Sequence, residues 1–116
     1  MERLVKAFIN SVRAFKRLAL TEKAFQQELL LFLIAVPIAW FLADSWRSYA
    51  LLLGSILVLM IVEVLNTAIE AACDALTREF NPEIQLAKDC GSLAVLLAVA
   101  LVVGVWGLAI VDRLAG

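Results

Sequence analysis

Glu63, Asn66, Glu70 and Asp74 recur at helical spacing in the run Glu63-Val64-Leu65-Asn66-Thr67-Ala68-Ile69-Glu70 and its continuation. At ~100° per residue all four fall within about 80° of one another, forming one polar stripe on an otherwise apolar helix. A charged carboxylate at the centre of a membrane costs on the order of 3 kcal/mol even on lenient insertion scales, so such a stripe calls for a metal, a partner cation or a proton. A carboxyl withdrawn from water is a better base. At 1.5 Å per residue Glu63 lies about 10 Å deeper than Glu70, which makes it the candidate to take a proton from a lipid hydroxyl at the hydrocarbon boundary. Glu70 and Asp74, nearer water, suit a hydrated Mg²⁺, which takes carboxylate oxygens together with nucleotide phosphate. Glu22 is placed to complete that site. Lys88, in Ala87-Lys88-Asp89, and Arg3 are the cations available to phosphates. The bland alternatives are a polar seam that hydrogen-bonds across an oligomer interface and a Lys88 that merely anchors the chain at the membrane boundary.

These residues need helices to carry them, and the composition says what those helices are immersed in. Of 116 residues, 64% are hydrophobic and the mean hydropathy is +0.95, well beyond the roughly 45–50% apolar content of soluble domains. The length allows a single domain, 1–116. Apolar Leu4, Val5, Phe8, Val12, Phe15 and Ala19 alternate helically with Arg3, Lys6, Asn10, Arg13 and Arg17, which predicts an amphipathic helix over 1–20 lying on a membrane surface. Membrane helices are predicted over 22–43, 49–76 and 91–111. Thr21 and Glu22 open the first, Trp40, Trp46 and Tyr49 mark an interfacial belt after it, and the polar segment 77–89 containing Asn81-Pro82 ends the second. The expected fold class is therefore all-α integral membrane.

Six of the ten basic residues stand in the first 23 positions. That bias places the amino terminus in the cytoplasm, together with the loop carrying Arg78 and Lys88, and points this end of the chain at anionic lipid or phosphate. No continuous apolar core marks the first segment as a secretory signal, and although its Arg/Lys content is compatible with a transit peptide, the segments that follow make it a working part of the protein. The interleaved apolar residues argue against nucleic acid as a partner. Neither GxxxxGK[ST] nor GxGxxG occurs, so ATP, if bound, is bound without either common cradle. Cys73 and Cys90 have no metal spacing and no His beside them, and both are expected to be small buried residues.

Three segments in this order resemble the small prokaryotic membrane diacylglycerol kinases, a family related to the undecaprenol kinases of Gram-positive bacteria. They are Glu22-Lys23-Ala24-Phe25-Gln26-Gln27-Glu28, Glu63 to Glu70 with Asp74, and Ala87-Lys88-Asp89-Cys90-Gly91-Ser92. The resemblance covers almost the whole chain. It implies a homotrimer in the bacterial inner membrane, active sites shared between subunits, and transfer of the ATP γ-phosphate to a lipid alcohol with Mg²⁺. By the same resemblance Glu63 is the base and Asn66 supports the catalytic face. Glu22 and Glu70 hold the metal, and Arg3, Glu22, Glu70, Glu79, Lys88 and Asp89 contact ATP. Arg3, Ser11, Ala24, Phe25, Gln27, Glu28, Glu63 and Ser92 line the lipid's path.

Asn10, Gln26 and Asn81 depart from the familiar enterobacterial Tyr, Arg and His, which bears on nucleotide stacking and head-group contacts. The wording Asp89-Cys90-Gly91-Ser92 is nearer the diacylglycerol branch than the undecaprenol branch. The expected reaction is therefore phosphorylation of diacylglycerol to phosphatidic acid, with undecaprenol kinase as the nearest rival. Two rivals come from other classes. A small oligomeric proton or cation pathway would use the same carboxylates without ATP, and a structural subunit would use the stripe only to fix helix register.

Overall fold

The computed structural model describes all 116 residues as four helices and no strand: α1 (Glu2–Thr21), α2 (Lys23–Leu42), α3 (Trp46–Leu76) and α4 (Pro82–Ala115). The last three are long and apolar enough to cross a membrane. Their connections are short, so α2, α3 and α4 run up, down and up, and the start of α2, the end of α3 and the start of α4 share one end of the bundle. α3 packs on α4 most extensively and on α2 next, while α1 rests against α2. Only 10 of 116 residues are buried, and large apolar side chains such as Leu30, Leu57, Leu96 and Val103 face outward. An apolar exterior on that scale is at home in lipid or against further copies of the chain, not in water.

The ends of the elements have local causes. Ser45 starts α3 by accepting the Ser48 N–H on its hydroxyl at 3.1 Å. Asn81 starts α4: its Oδ1 accepts the N–H groups of Glu83 at 2.9 Å and Ile84 at 3.3 Å. Pro82 occupies the first turn, where its missing N–H costs nothing, and Glu83 adds the favoured negative charge. For this reason α4 begins at Pro82, well before the apolar run that opens at Gly91, and much of the segment expected to be loop is helix. Between α1 and α2 the expected Thr21 cap is absent. Thr21 closes α1 and donates its hydroxyl to the Arg17 carbonyl at 2.6 Å, and Glu22 alone makes the joint in an extended conformation.

That one-residue joint is stapled. Gln26 Nε2 donates to the Ala19 carbonyl at 2.9 Å, and Phe15 meets Phe25 edge-to-face at 5.5 Å. At the opposite end of the bundle Trp40, Trp46 and Tyr49 contact one another at 5.3–6.0 Å. The Tyr49 hydroxyl donates to the Val36 carbonyl at 3.2 Å, just before Pro37. Cys73 is buried as expected, whereas Cys90 is exposed, because its neighbour Gly91 takes the position that faces α3. Asn81→Ala is expected to lower the unfolding free energy in micelles by about 1 kcal/mol, the usual cost of an N-cap, as read from reversible denaturation in mixed detergent.

Candidate active site

Four carboxylates lie near one another where the α1–α2 joint meets α3. Glu22, Glu28 and Glu70 each lie close enough to Glu63 to act on it electrostatically. Glu63 and Glu28 are half-buried, while Glu22 and Glu70 are exposed. The joint is what brings Glu22 in, since it is the one residue between α1 and α2. Glu28, one and a half turns further along α2, was expected only along the lipid's path; it joins the carboxylates because α2 and α3 pack antiparallel. Its Oε1 is shielded from solvent and has no hydrogen-bond partner.

One turn after Glu63, Asn66 donates from Nδ2 to Glu70 Oε1 at 2.9 Å. This fixes the carboxylate along the polar stripe, as spacing i, i+4 allows. Asp74 does not join the cluster. It accepts from Lys88 Nζ at 2.9 Å across the α3–α4 turn, and Lys88 also lies within electrostatic reach of Glu70. The two helices leave the Thr77–Asn81 turn side by side, so residues 74 and 88 face each other. The single sequence carries no signal that would pair them.

The chain by itself brings no three acidic or cysteine side chains close enough to hold a metal ion together. Its donors nonetheless suit Mg²⁺: they are hard carboxylate oxygens, and this ion takes one or two carboxylates and completes its shell with phosphate and water. Ser11 and Phe25 line an apolar groove of about 390 Å³ between α1, α2 and α3, floored by Leu57, Met60 and Val64. The Ser11 hydroxyl is spent on the Ala7 carbonyl at 2.8 Å. Ala24 is half-buried beside Phe25, and Gln27, Glu79, Asp89 and Ser92 are exposed. Arg3 is not brought to the carboxylates. It stands about 28 Å from Glu22 along the straight axis of α1, the rise of 19 helical residues.

Depth can be measured along α3. From Trp46 in the aromatic cluster to Glu63 is about 26 Å at 1.5 Å per residue, close to the ~30 Å of a hydrocarbon core. Beyond Glu63 the helix continues for about 20 Å more, carrying Glu70 and Asp74 past the α1–α2 joint. A hydrocarbon core bounded at one face by the aromatic cluster would thus end near Glu63, with Glu70 and Asp74 beyond it.

The sequence pattern of the prokaryotic diacylglycerol kinases matches residues 9–110. The chain belongs to the prokaryotic diacylglycerol kinase family. It is 39% identical over 104 residues to the diacylglycerol kinase of Escherichia coli K12, covering 90% of this chain and 85% of that one. It is 35% identical over 106 residues to the diacylglycerol kinase of Pseudomonas aeruginosa PAO1, covering 91% and 86%. To the diacylglycerol kinase of Helicobacter pylori 26695 it is 33% identical over 106 residues, covering 91% and 83%. The matched region of this family member takes in the α1–α2 joint and all the clustered carboxylates.

A functional cluster of like charges is held together at the expense of stability. Glu28→Gln is therefore expected to raise the thermal unfolding midpoint by a few degrees in micelles, by relieving repulsion with Glu63; a lowered midpoint would mean that the Glu28 carboxylate is itself a structural anchor.

Proposed function

We propose that this protein phosphorylates diacylglycerol at the cytoplasmic face of the bacterial inner membrane, using ATP as donor and releasing phosphatidic acid and ADP. The observation that carries this reading is the gathering of Glu22, Glu28 and Glu70 around Glu63, at the depth where a lipid hydroxyl and a water-soluble nucleotide can both reach. Membership of the family supports the substrate class. The alternation of basic and apolar residues in α1 supports a helix lying on the surface, with the basic end of the chain in the cytoplasm.

In this reading Glu63 accepts the proton of the diacylglycerol hydroxyl as the alcohol oxygen attacks the γ-phosphorus. The bond from that phosphorus to the β,γ-bridging oxygen breaks, and ADP leaves. Glu22 and Glu70 would hold Mg²⁺, which supplies neutralising charge for the nucleotide phosphates. Asn66 keeps Glu70 turned along the stripe. Lys88 lies beside Asp74 where it can exchange one anionic partner for another, and Asp89 and Glu79 border the same water-exposed end. The groove lined by Ser11 and Phe25 offers an acyl chain an apolar bed beside Ala24, Gln27 and Glu28, with Ser92 on α4 nearby.

Arg3 stands about 28 Å from Glu22 of its own chain along α1. In this reading the arginine serving one set of carboxylates comes from a neighbour, in keeping with a homotrimer. The exposed apolar faces of α3 and α4 are available to make such an assembly.

The test is transfer of labelled γ-phosphate by purified protein offered diacylglycerol and undecaprenol in parallel. Labelled phosphatidic acid is expected from the wild type, with Glu63→Gln slower by about 10²–10⁴-fold, the usual contribution of a general base. Preferential labelling of undecaprenol would reassign the substrate, and labelling of neither lipid with Mg²⁺ present would overturn the kinase reading. Mixing equal amounts of inactive Arg3→Ala and Glu63→Gln chains before assembly is expected to restore about a quarter of the sites if they are shared in a closed ring, and none if each chain is self-sufficient.

A further inference from the structure

Gly91 sits in the buried seam where α4 crosses α3, directly opposite Asn66. A methyl group built at position 91 would overlap Asn66 Oδ1 outright and stand 3.2 Å from its Cγ. The same Oδ1 is sealed from solvent and has no hydrogen-bond partner, while Nδ2, on the other side of the carboxamide, donates to Glu70 Oε1 at 2.9 Å. The amide thus has one orientation. Turned over, it would aim its oxygen at the Glu70 carboxylate and crowd its NH₂ against the backbone of α4.

We infer that Gly91 is a positioning residue for the reaction: its bare Cα is the surface against which Asn66 rests, and this contact holds the Asn66 amide on Glu70. The inference rests on the reading of the site proposed above, in which Glu70 is a ligand for the nucleotide-bound metal. When that space is filled, the Asn66 side chain is the group that yields. The colliding atom is the far end of a side chain with two free torsions, and an apolar notch of about 220 Å³ lined by Leu65, Ile69, Cys90 and Ala94 opens beside it. Rotation into that notch costs less than prising α3 from α4. A larger residue at position 91 therefore leaves the fold and releases Glu70 from its donor.

The experiment is a double-mutant cycle in lipid nanodiscs with Gly91→Ala, Asn66→Ala and the double variant. It measures kcat and the half-saturating Mg²⁺ concentration at saturating ATP and diacylglycerol. Mn²⁺ binding in the presence of a non-hydrolysable ATP analogue, read by electron paramagnetic resonance, serves any variant too slow to assay. Gly91→Ala is expected to raise the half-saturating Mg²⁺ concentration by about tenfold or more, the usual cost of losing the hydrogen bond that orients a metal ligand. In the Asn66→Ala background the same change is expected to add less than about twofold, because the group it acts through is gone. Equal penalties in both backgrounds, no penalty in either, or unfolding of Gly91→Ala would each overturn the inference. If Asn66→Ala and Glu70→Gln both keep wild-type metal dependence, the reading of the site fails and takes the inference with it. A loss in those two alongside a silent Gly91→Ala would overturn the inference alone.

Discussion

Carboxylates repel one another and resist leaving water, yet this chain gathers four of them beside a hydrocarbon boundary. Much of the structure follows from keeping that arrangement possible. Glu22 is held at the water's edge by a joint of one residue, and Glu70 is steadied by the Asn66 amide instead of by a cation. Lys88, within electrostatic reach of Glu70, is taken by Asp74. A cluster left in that state is open to positive charge.

The helices that carry these groups were legible in the sequence to a large extent because hydrophobic periodicity and length are strong signals in membrane chains. The polar stripe of Glu63, Asn66 and Glu70 could be read from spacing alone. The start of α4 at Pro82 was less visible, since Asn81-Pro82 resembles a turn until the capping geometry is seen. The Thr21 hydroxyl was available either to close one helix or to open the next, and spacing does not decide between them. Glu28 and the Asp74–Lys88 pair depend on which residues face one another across packed helices. Interhelix register of that kind is set by the joint lengths and by close approaches such as that at Gly91, and none of these appears in a local pattern.

A second constraint is the scarcity of core. With ten buried residues, the chain has little interior of its own, and Leu52, Ser55, Ile56 and Leu59 on α3 supply much of what there is. The Trp106 indole and the Ser55 hydroxyl both donate to the Leu52 carbonyl, at 3.1 and 2.8 Å, so a polar knot ties α4 to α3 at the level of that small core. The site lies toward the other end of the bundle, where side-chain packing is thinner and specific contacts do more of the positioning.

The joint at Glu22 has a mechanical side as well. α1 is a rod about 30 Å long, the rise of 20 helical residues, with no buried residue of its own and clamped only at its last turns by Gln26 and the Phe15–Phe25 pair. Such a rod amplifies: a tilt of about 5° at the clamp sweeps its far end through about 2.5 Å while Glu22 at the pivot barely moves. A side-chain change at position 26 therefore acts as a steering adjustment. It alters where the amino-terminal basic residues point without disturbing the carboxylates at the fulcrum.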